Sequence, residues 1–258
     1  MMKKFFFIAV LAIALVSCKQ TEPVRSGSMT VTIGELKFEM VYVNSGSFNM
    51  GAVENKYADM DEYPIHEVRL SDYYISRTEV SQALWRSIMD SLPSGMLDTA
   101  NHCIIADNYP VSCVSYDDCL LFIERLNTES NSHFALPTEA QWEFAARSCN
   151  QNTTYAGSDY ADQVAVCESS SPAHIGSKSP NALGISDMSG NVAEWCYDWY
   201  GIYPETASVM PAGPDSGTYR VIRGGSFSDD KQKCRVSARY SALPAMRSPN
   251  VGFRLILY

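Results

Sequence analysis

The stretch from Asn181 to Tyr200, NALGISDMSGNVAEWCYDWY, constrains the fold of this chain more than any other. A strand-like apolar run through Leu183 and Ile185 stops at Asp187, turns through Ser189-Gly190-Asn191 and returns to Glu194. Trp195, Tyr197, Trp199 and Tyr200 then pack behind it. Two carboxylates seven residues apart, with a tight Gly-Asn turn between them, suit a loop folded round a hard cation. Ca²⁺ takes carboxylates mixed with backbone carbonyls, and glycine lets the backbone come close. The aromatic side chains supply a dry wall behind such a loop. The competing reading is a Gly-Asn hairpin turn capped by its own side chains, with no ion.

At the other end of the chain, Lys3 and Lys4 precede an uncharged run, Phe5 to Val16, which is too short to span a bilayer comfortably. That pattern is a secretion leader. The run ends in Leu15-Val16-Ser17-Cys18, which resembles the lipobox of bacterial lipoproteins, where the leader is cut before a cysteine that carries lipid. The resemblance implies a leader over residues 1–17, lipidation at Cys18 and a place in the cell envelope, anchored to a membrane on its extracytoplasmic side. Residues 18–28 are polar, with Pro23 and Gly27, and read as a flexible tether.

No low-complexity linker divides residues 29–258, so they are expected to form one domain. Hydrophobic residues at 46% against 19% charged supply enough apolar material for a sizeable core. Loss of Lys3 and Lys4 with the leader takes the formal net charge from −9 to −11. This acidity argues against a nucleic-acid partner and gives no attraction to an acidic membrane surface. Beyond Cys18 stand Cys103, Cys113, Cys119, Cys149, Cys167, Cys196 and Cys234, an odd number, so at least one is unpaired. No C-x-x-C is present and none of His66, His102, His133 and His174 has a second histidine at zinc-binding spacing. The cysteine pairing is not legible from spacing.

The periodicities follow a definite order. Met29 to Val43 predicts a strand pair turning at Gly34, Asn44 to Gly51 a turn-rich loop, and Val68 to Ile75 a strand. Thr78 to Met89 predicts a helix capped by Thr78, with Val80, Leu84 and Ile88 on one face. A second helix opens at Ser115 with Asp118 at N3, and a third at Thr138, where Thr138 and Gln141 make a capping box, running to about Arg147. Trp142 on that third helix is expected in the core. After Cys149, Gly, Ser, Pro and Asn dominate, interrupted by short strands at Tyr219 to Arg223 and Val251 to Leu257. The expected class is α+β, with a large irregular fraction pinned by ions, disulfides or buried aromatics.

Seven blocks then recur in order: Gly46 to Gly51, Glu79 to Gln82, Pro110 to Tyr116, Leu136 to Arg147, Gly184 to Trp195, Arg223 to Phe227 and Val251 to Arg254. Together they resemble the formylglycine-generating enzyme, or sulfatase-modifying factor, family over Met29 to Tyr258. The resemblance implies a single coil-rich α+β domain related to the C-type lectin fold. It also implies Ca²⁺ held by the Asp187 and Glu194 side chains and the Gly190 and Val192 carbonyls. Ala193 stands where the family usually has tryptophan, which thins the wall beside this site.

Enzymes of that family oxidise a sulfatase cysteine to formylglycine with O₂, using two cysteine thiolates on Cu(I) after the Gly-Gly-Ser turn. Soft thiolates select Cu(I). Here the segment Ser228 to Arg239 holds one cysteine, Cys234. Ungapped counting puts it on the second copper position with Asp229 on the first, whereas the Cys-Arg-x-x-x-Arg pattern puts it on a structural cysteine. Either way the copper pair is incomplete unless a cysteine reaches in from elsewhere. Under an oxidase reading Cys234 and Ser226 are the catalytic candidates and Cu(I) the cofactor; Ser226 otherwise reads as a turn serine. The expectation is a non-catalytic lipoprotein that binds an extracytoplasmic protein or glycan.

Overall fold

The computed structural model describes residues 27–52 and 57–258. The leader, Cys18 and nearly all of the tether lie outside them. The chain forms a five-stranded sheet, a four-stranded sheet and a three-stranded sheet among the described residues, with helices packed against them. This is the expected mixed α+β class.

The hairpin of β1 (Ser28–Ile33) and β2 (Leu36–Val43) turns at Gly34, whose φ of 57° suits the first central position of a two-residue turn. Gly46 to Met50, expected as loop, is instead strand β3 (Gly46–Met50), paired with β4 (His66–Leu70). Its Phe48 and Met50 alternate inward while Ser47 and Asn49 do not, and this period-two burial overrides the turn-forming composition. The single strand expected at Val68 to Ile75 is two, because Ser71-Asp72 lets the chain change sheets. After that step β5 (Tyr73–Ser76) pairs with β2, whereas β4 stays with β3.

Helix α1 (Gln82–Met89) starts later than expected and is capped by Ser81, whose Oγ accepts from Leu84 N at 3.1 Å. Thr78 cannot cap it, because Val80 N donates to Phe253 O and Val80 O accepts from Val111 N, holding residues 78–81 extended. The single turn α2 (Ser94–Leu97) was not expected. Helix α3 (Tyr116–Ser130) carries the expected Ser115/Asp118 capping box. In the core Trp85 of α1 stacks on Phe122 of α3 at 5.2 Å, with Phe253 edge-on to both. A short β6 (Phe134–Ala135) leads into α4 (Glu139–Ala146), capped by Thr138 and Gln141 as expected. All eight residues of α4 are buried, Trp142 completely.

After α4 comes the irregular half, with a helical turn, α5 (Ala161–Val164), and a later 3-10 turn (Lys231–Cys234). The run from Asn181 to Asp187 is not strand-like. Asn181 Oδ1 accepts from Leu183 N and Ile185 N, and its Nδ2 donates to Ala145 O, so the segment is a side-chain-bonded turn fixed to the end of α4. The aromatic wall is strand β7 (Ala193–Trp199), where Trp195 is buried but Tyr197, on the opposite face, is 48% exposed. Beyond β8 (Ser208–Val209), strand β9 (Arg220–Arg223) pairs with β7 and with β10 (Arg239–Ala242). The strand expected over Val251 to Leu257 is divided into β11 (Val251–Gly252), beside β7, and β12 (Ile256–Leu257), between β5 and β6. The interruption drives Arg254 inward, fully buried.

Candidate functional site

Arg254 meets Glu194. Its Nε donates to Glu194 Oε2 at 2.6 Å and its Nη2 to Oε1 at 2.7 Å, a bidentate pair with both groups buried. The Trp142 indole N–H donates to the same Oε2 at 2.7 Å. The Glu194 carboxylate is therefore occupied by a guanidinium and an indole, which is not the free ligand expected from the loop sequence.

Asp187 is different. It has a left-handed φ of 60°, its Oδ2 accepts from Gly176 N at 2.6 Å, and its Oδ1 is buried without a hydrogen-bond partner. Glu79, on the extended segment before α1, is also buried. Its Oε1 accepts from Asn191 Nδ2 at 2.9 Å and its Oε2 has no partner. Burial, with the Asp187 charge next, pushes Glu79 well above the usual carboxylate range, and burial also raises Asp187. Two buried acids with two open oxygens call for a shared proton or a cation between them. Among the described residues no group of three or more His, Cys, Asp and Glu side chains forms a metal site. A hard cation here would thus rest on two carboxylates plus backbone oxygens. The Asp187 half of the expected donor set fits such an ion and the Glu194 half does not.

The Gly190 turn between these acids is tightly constrained. A Cβ at Gly190, where φ is 78°, would lie 2.1 Å from Val166 O. Gly190 N donates to Gly224 O, which ties the turn to the Gly224-Gly225-Ser226 segment.

In that second segment Ser226 Oγ donates to Asp229 Oδ2 at 2.7 Å and Ser226 N donates to the same oxygen at 2.9 Å. Lys233 Nζ lies 3.3 Å from Asp229 Oδ1. Ser226 is thus a turn serine closed by an acidic side chain, and Asp229 is held by its own neighbours. Cys234 ends the 3-10 turn Lys231–Cys234 and is fully buried. Cys167, from the loop after α5, packs against the cluster that holds it; the neighbouring Cys167 thiol and burial raise Cys234, whereas the Cys234 thiol outweighs burial and lowers Cys167 below the usual thiol range. All seven cysteines from Cys103 to Cys234 are free thiols, although Cys103 and Cys113 Sγ also approach to 3.8 Å.

Behind the site lies an arginine–carboxylate network, in which Arg223 Nε and Arg147 Nη1 are left without a partner. Glu139 of α4 accepts from Arg239 Nε and Nη2 at 2.6 and 2.7 Å and from Arg223 Nη1 at 2.9 Å, while Glu143 accepts from Arg223 Nη2 at 2.6 Å and Arg147 Nε at 2.9 Å. Burial alone would raise Glu139, but Arg239 and Arg223 outweigh it and hold it low. Asp198 of β7 accepts from Glu139 N at 2.7 Å; burial, helped by the Glu139 charge, pushes it up to about 7. Beside this network a cavity of about 280 Å³ opens between Trp199, Ile202, Pro211, Pro214 and Arg239. Ile202, on its rim, is 94% exposed.

Sequence reasoning did not assign roles to Glu79, Arg254 or Cys167. The first two lie in recognisable blocks, yet nothing in the linear spacing ties either to the Asp187 loop. Cys167 is brought to Cys234 by loop geometry alone.

Comparisons with known proteins bear on the family and the fold. The model of the family described as sulfatase-modifying factor enzyme 1-like domain matches residues 33–258. The chain is 29% identical to the formylglycine-generating enzyme of Streptomyces coelicolor, over 83% of this chain and 87% of that protein. It is also 29% identical to the chaperone protein LppX of Paenibacillus barcinonensis, over 99% of both. A third relative, the serine/threonine-protein kinase pkn1 of Chlamydia pneumoniae, is 29% identical, but the chain spans only 42% of its length. Among solved structures, Treponema denticola variable protein 1 superposes with a TM-score of 0.80 at 26% identity, over 92% of this chain and 99% of that one.

Proposed function

Because the chain belongs to the sulfatase-modifying factor enzyme 1-like family, we propose that it uses this scaffold as an envelope lipoprotein to bind an extracytoplasmic protein or glycan, without making formylglycine. The observation that carries this reading is Asp229. It occupies the first copper position in ungapped register, it presents hard oxygens, and both are engaged by Ser226 and Lys233. Oxygen donors of that kind favour hard ions over Cu(I). The likeness to a chaperone protein along nearly the whole of both chains supports a protein partner in particular. The anchor follows from Leu15-Val16-Ser17-Cys18; among the described residues no helix is long and apolar enough to cross a membrane. Cys18→Ala is expected to release the protein from the membrane fraction, and a variant that stays bound would refute the lipid anchor.

For the ion, we propose Ca²⁺ between Asp187 and Glu79, with the Gly190 and Val192 carbonyls as further oxygens. Its chemistry there would be charge neutralisation that fixes the loop.

One observation favours the oxidase as a second reading: Cys167 packs against the cluster that contains Cys234. The deciding experiment incubates the purified protein with Cu(I), O₂ and a peptide bearing a Cys-x-Pro-x-Arg core, with mass spectrometry of the peptide. An unconverted cysteine is the expected result. Conversion that disappears in Cys234→Ser would replace the binding reading with the oxidase.

A further inference from the structure

The loop after α5 runs against the turn that follows Gly224-Gly225-Ser226. Glu168 N donates to Asp229 O at 2.8 Å, Ser169 N to Phe227 O at 2.7 Å, and Asn191 N to Val166 O at 2.8 Å. Cys167 is held among these bonds and packs against the buried cluster that contains Cys234, at the end of the 3-10 turn.

Their access to solvent differs. Cys234 is 0% exposed beneath Tyr155, Ala161, Val164 and Ala165, with Sγ 3.9 Å from Ser226 O and 3.8 Å from Asp230 O. A Cβ at Gly225 would stand 2.8 Å from that sulfur, so the glycine is what leaves room for it. Cys167 is only half-buried. One residue is thus partly open to solvent, and the other is closed to it.

We infer that Cys167 and Cys234 form a thiol–disulfide exchange pair, with Cys167 as the outer sulfur and Cys234 as the buried resolving thiol, acting on a disulfide-bearing co-reactant. In the first step the Cys167 thiolate attacks one sulfur of that disulfide. A Cys167–substrate S–S bond forms, the substrate S–S bond breaks, and the leaving thiolate takes a proton from solvent. In the second step the Cys234 thiol loses its proton and attacks Cys167 Sγ. The Cys167–Cys234 bond forms and the second substrate thiolate leaves. The substrate disulfide gains two electrons and two protons, and the protein pair loses the same. The attacking group must be a thiolate within reach of solvent, and the half-buried Cys167 meets this better than Cys234.

The test uses reduced full-length mature protein with oxidised glutathione as the probe, acid-quenched over time and peptide-mapped by mass spectrometry. In the wild type a glutathione adduct should appear first on Cys167 and then decay into a Cys167–Cys234 disulfide. In Cys234→Ala the Cys167 adduct should persist; in Cys167→Ser the native protein should gain none at Cys234. The wild-type time course stands by itself if a variant fails to fold. Absence of the Cys167–Cys234 disulfide in the wild type, or an adduct that forms first on Cys234, would overturn the inference.

Discussion

Trp142 touches two buried carboxylate regions that the chain has treated in opposite ways. On one side the Arg223 guanidinium lies 5.1 Å from its ring centroid, within the network where Glu139 and Glu143 are matched by Arg223, Arg239 and Arg147. On the other its indole N–H holds Glu194, beyond which Asp187 and Glu79 are left with open oxygens and no arginine of their own. The first region is charge-matched at its carboxylates within the polypeptide, although Arg223 Nε and Arg147 Nη1 have no partner. The second is not, and its two open oxygens leave room for a shared proton or, as proposed, an ion.

The largest effect should come from breaking the first region. Arg223→Ala removes a buried cation from two carboxylates at once, and losing one partner of a buried pair typically costs about 3–5 kcal/mol. Denaturant unfolding should show that loss, and a change within error of zero would mean that the network relaxes without it.

Next comes the second region. If Ca²⁺ binds only the native state, saturation at a hundredfold excess over Kd stabilises by about 2.7 kcal/mol. Chelator should therefore lower the Tm of the wild type, and Glu79→Gln should abolish the sensitivity. The ion-free protein supplies the sign check. Glu79 and Asp187 are raised in the fold, so their contribution is present at low pH and is lost as pH rises through the raised values. Acidification should then stabilise the chelated protein, and Ca²⁺ should flatten that dependence. A wild-type Tm indifferent to chelator at every pH would leave the pair sharing a proton alone.

The smallest effect lies at the edge of the first region, where Asp198 accepts from Glu139 N. Asp198 is raised from 3.8 to about 7, so its contribution is complete below about pH 4 and declines as pH rises to about 7. At 1.36 kcal/mol per unit the ceiling is about 4 kcal/mol, and relaxation should reduce what is measured to about 1–2. Asp198→Asn keeps an acceptor for Glu139 N and should match the wild type near pH 4 while exceeding it near pH 8. Parallel stability curves for the two proteins would show that Asp198 is ionised throughout.

The capping boxes at Ser115 and Thr138, the Gly34 hairpin, the burial of Trp142 and the coil-rich half after α4 were all determined by local sequence. Caps, tight turns and hydrophobic periodicity act over a few residues and leave their pattern in the chain. The Asp187 turn and the family blocks likewise marked where the site would lie. Tertiary structure alone decided who meets whom there. Glu194 reads as a ligand until β11 and β12 part and send Arg254 into it across a separation of 60 residues. Glu79 joins Asp187 because residues 78–81 are held extended by Phe253 and Val111. Cys167 reaches Cys234 because two loops share backbone bonds. Each of these contacts joins distant parts of the chain, and the energy of a buried charge or thiol depends on that distant partner rather than on its neighbours in sequence.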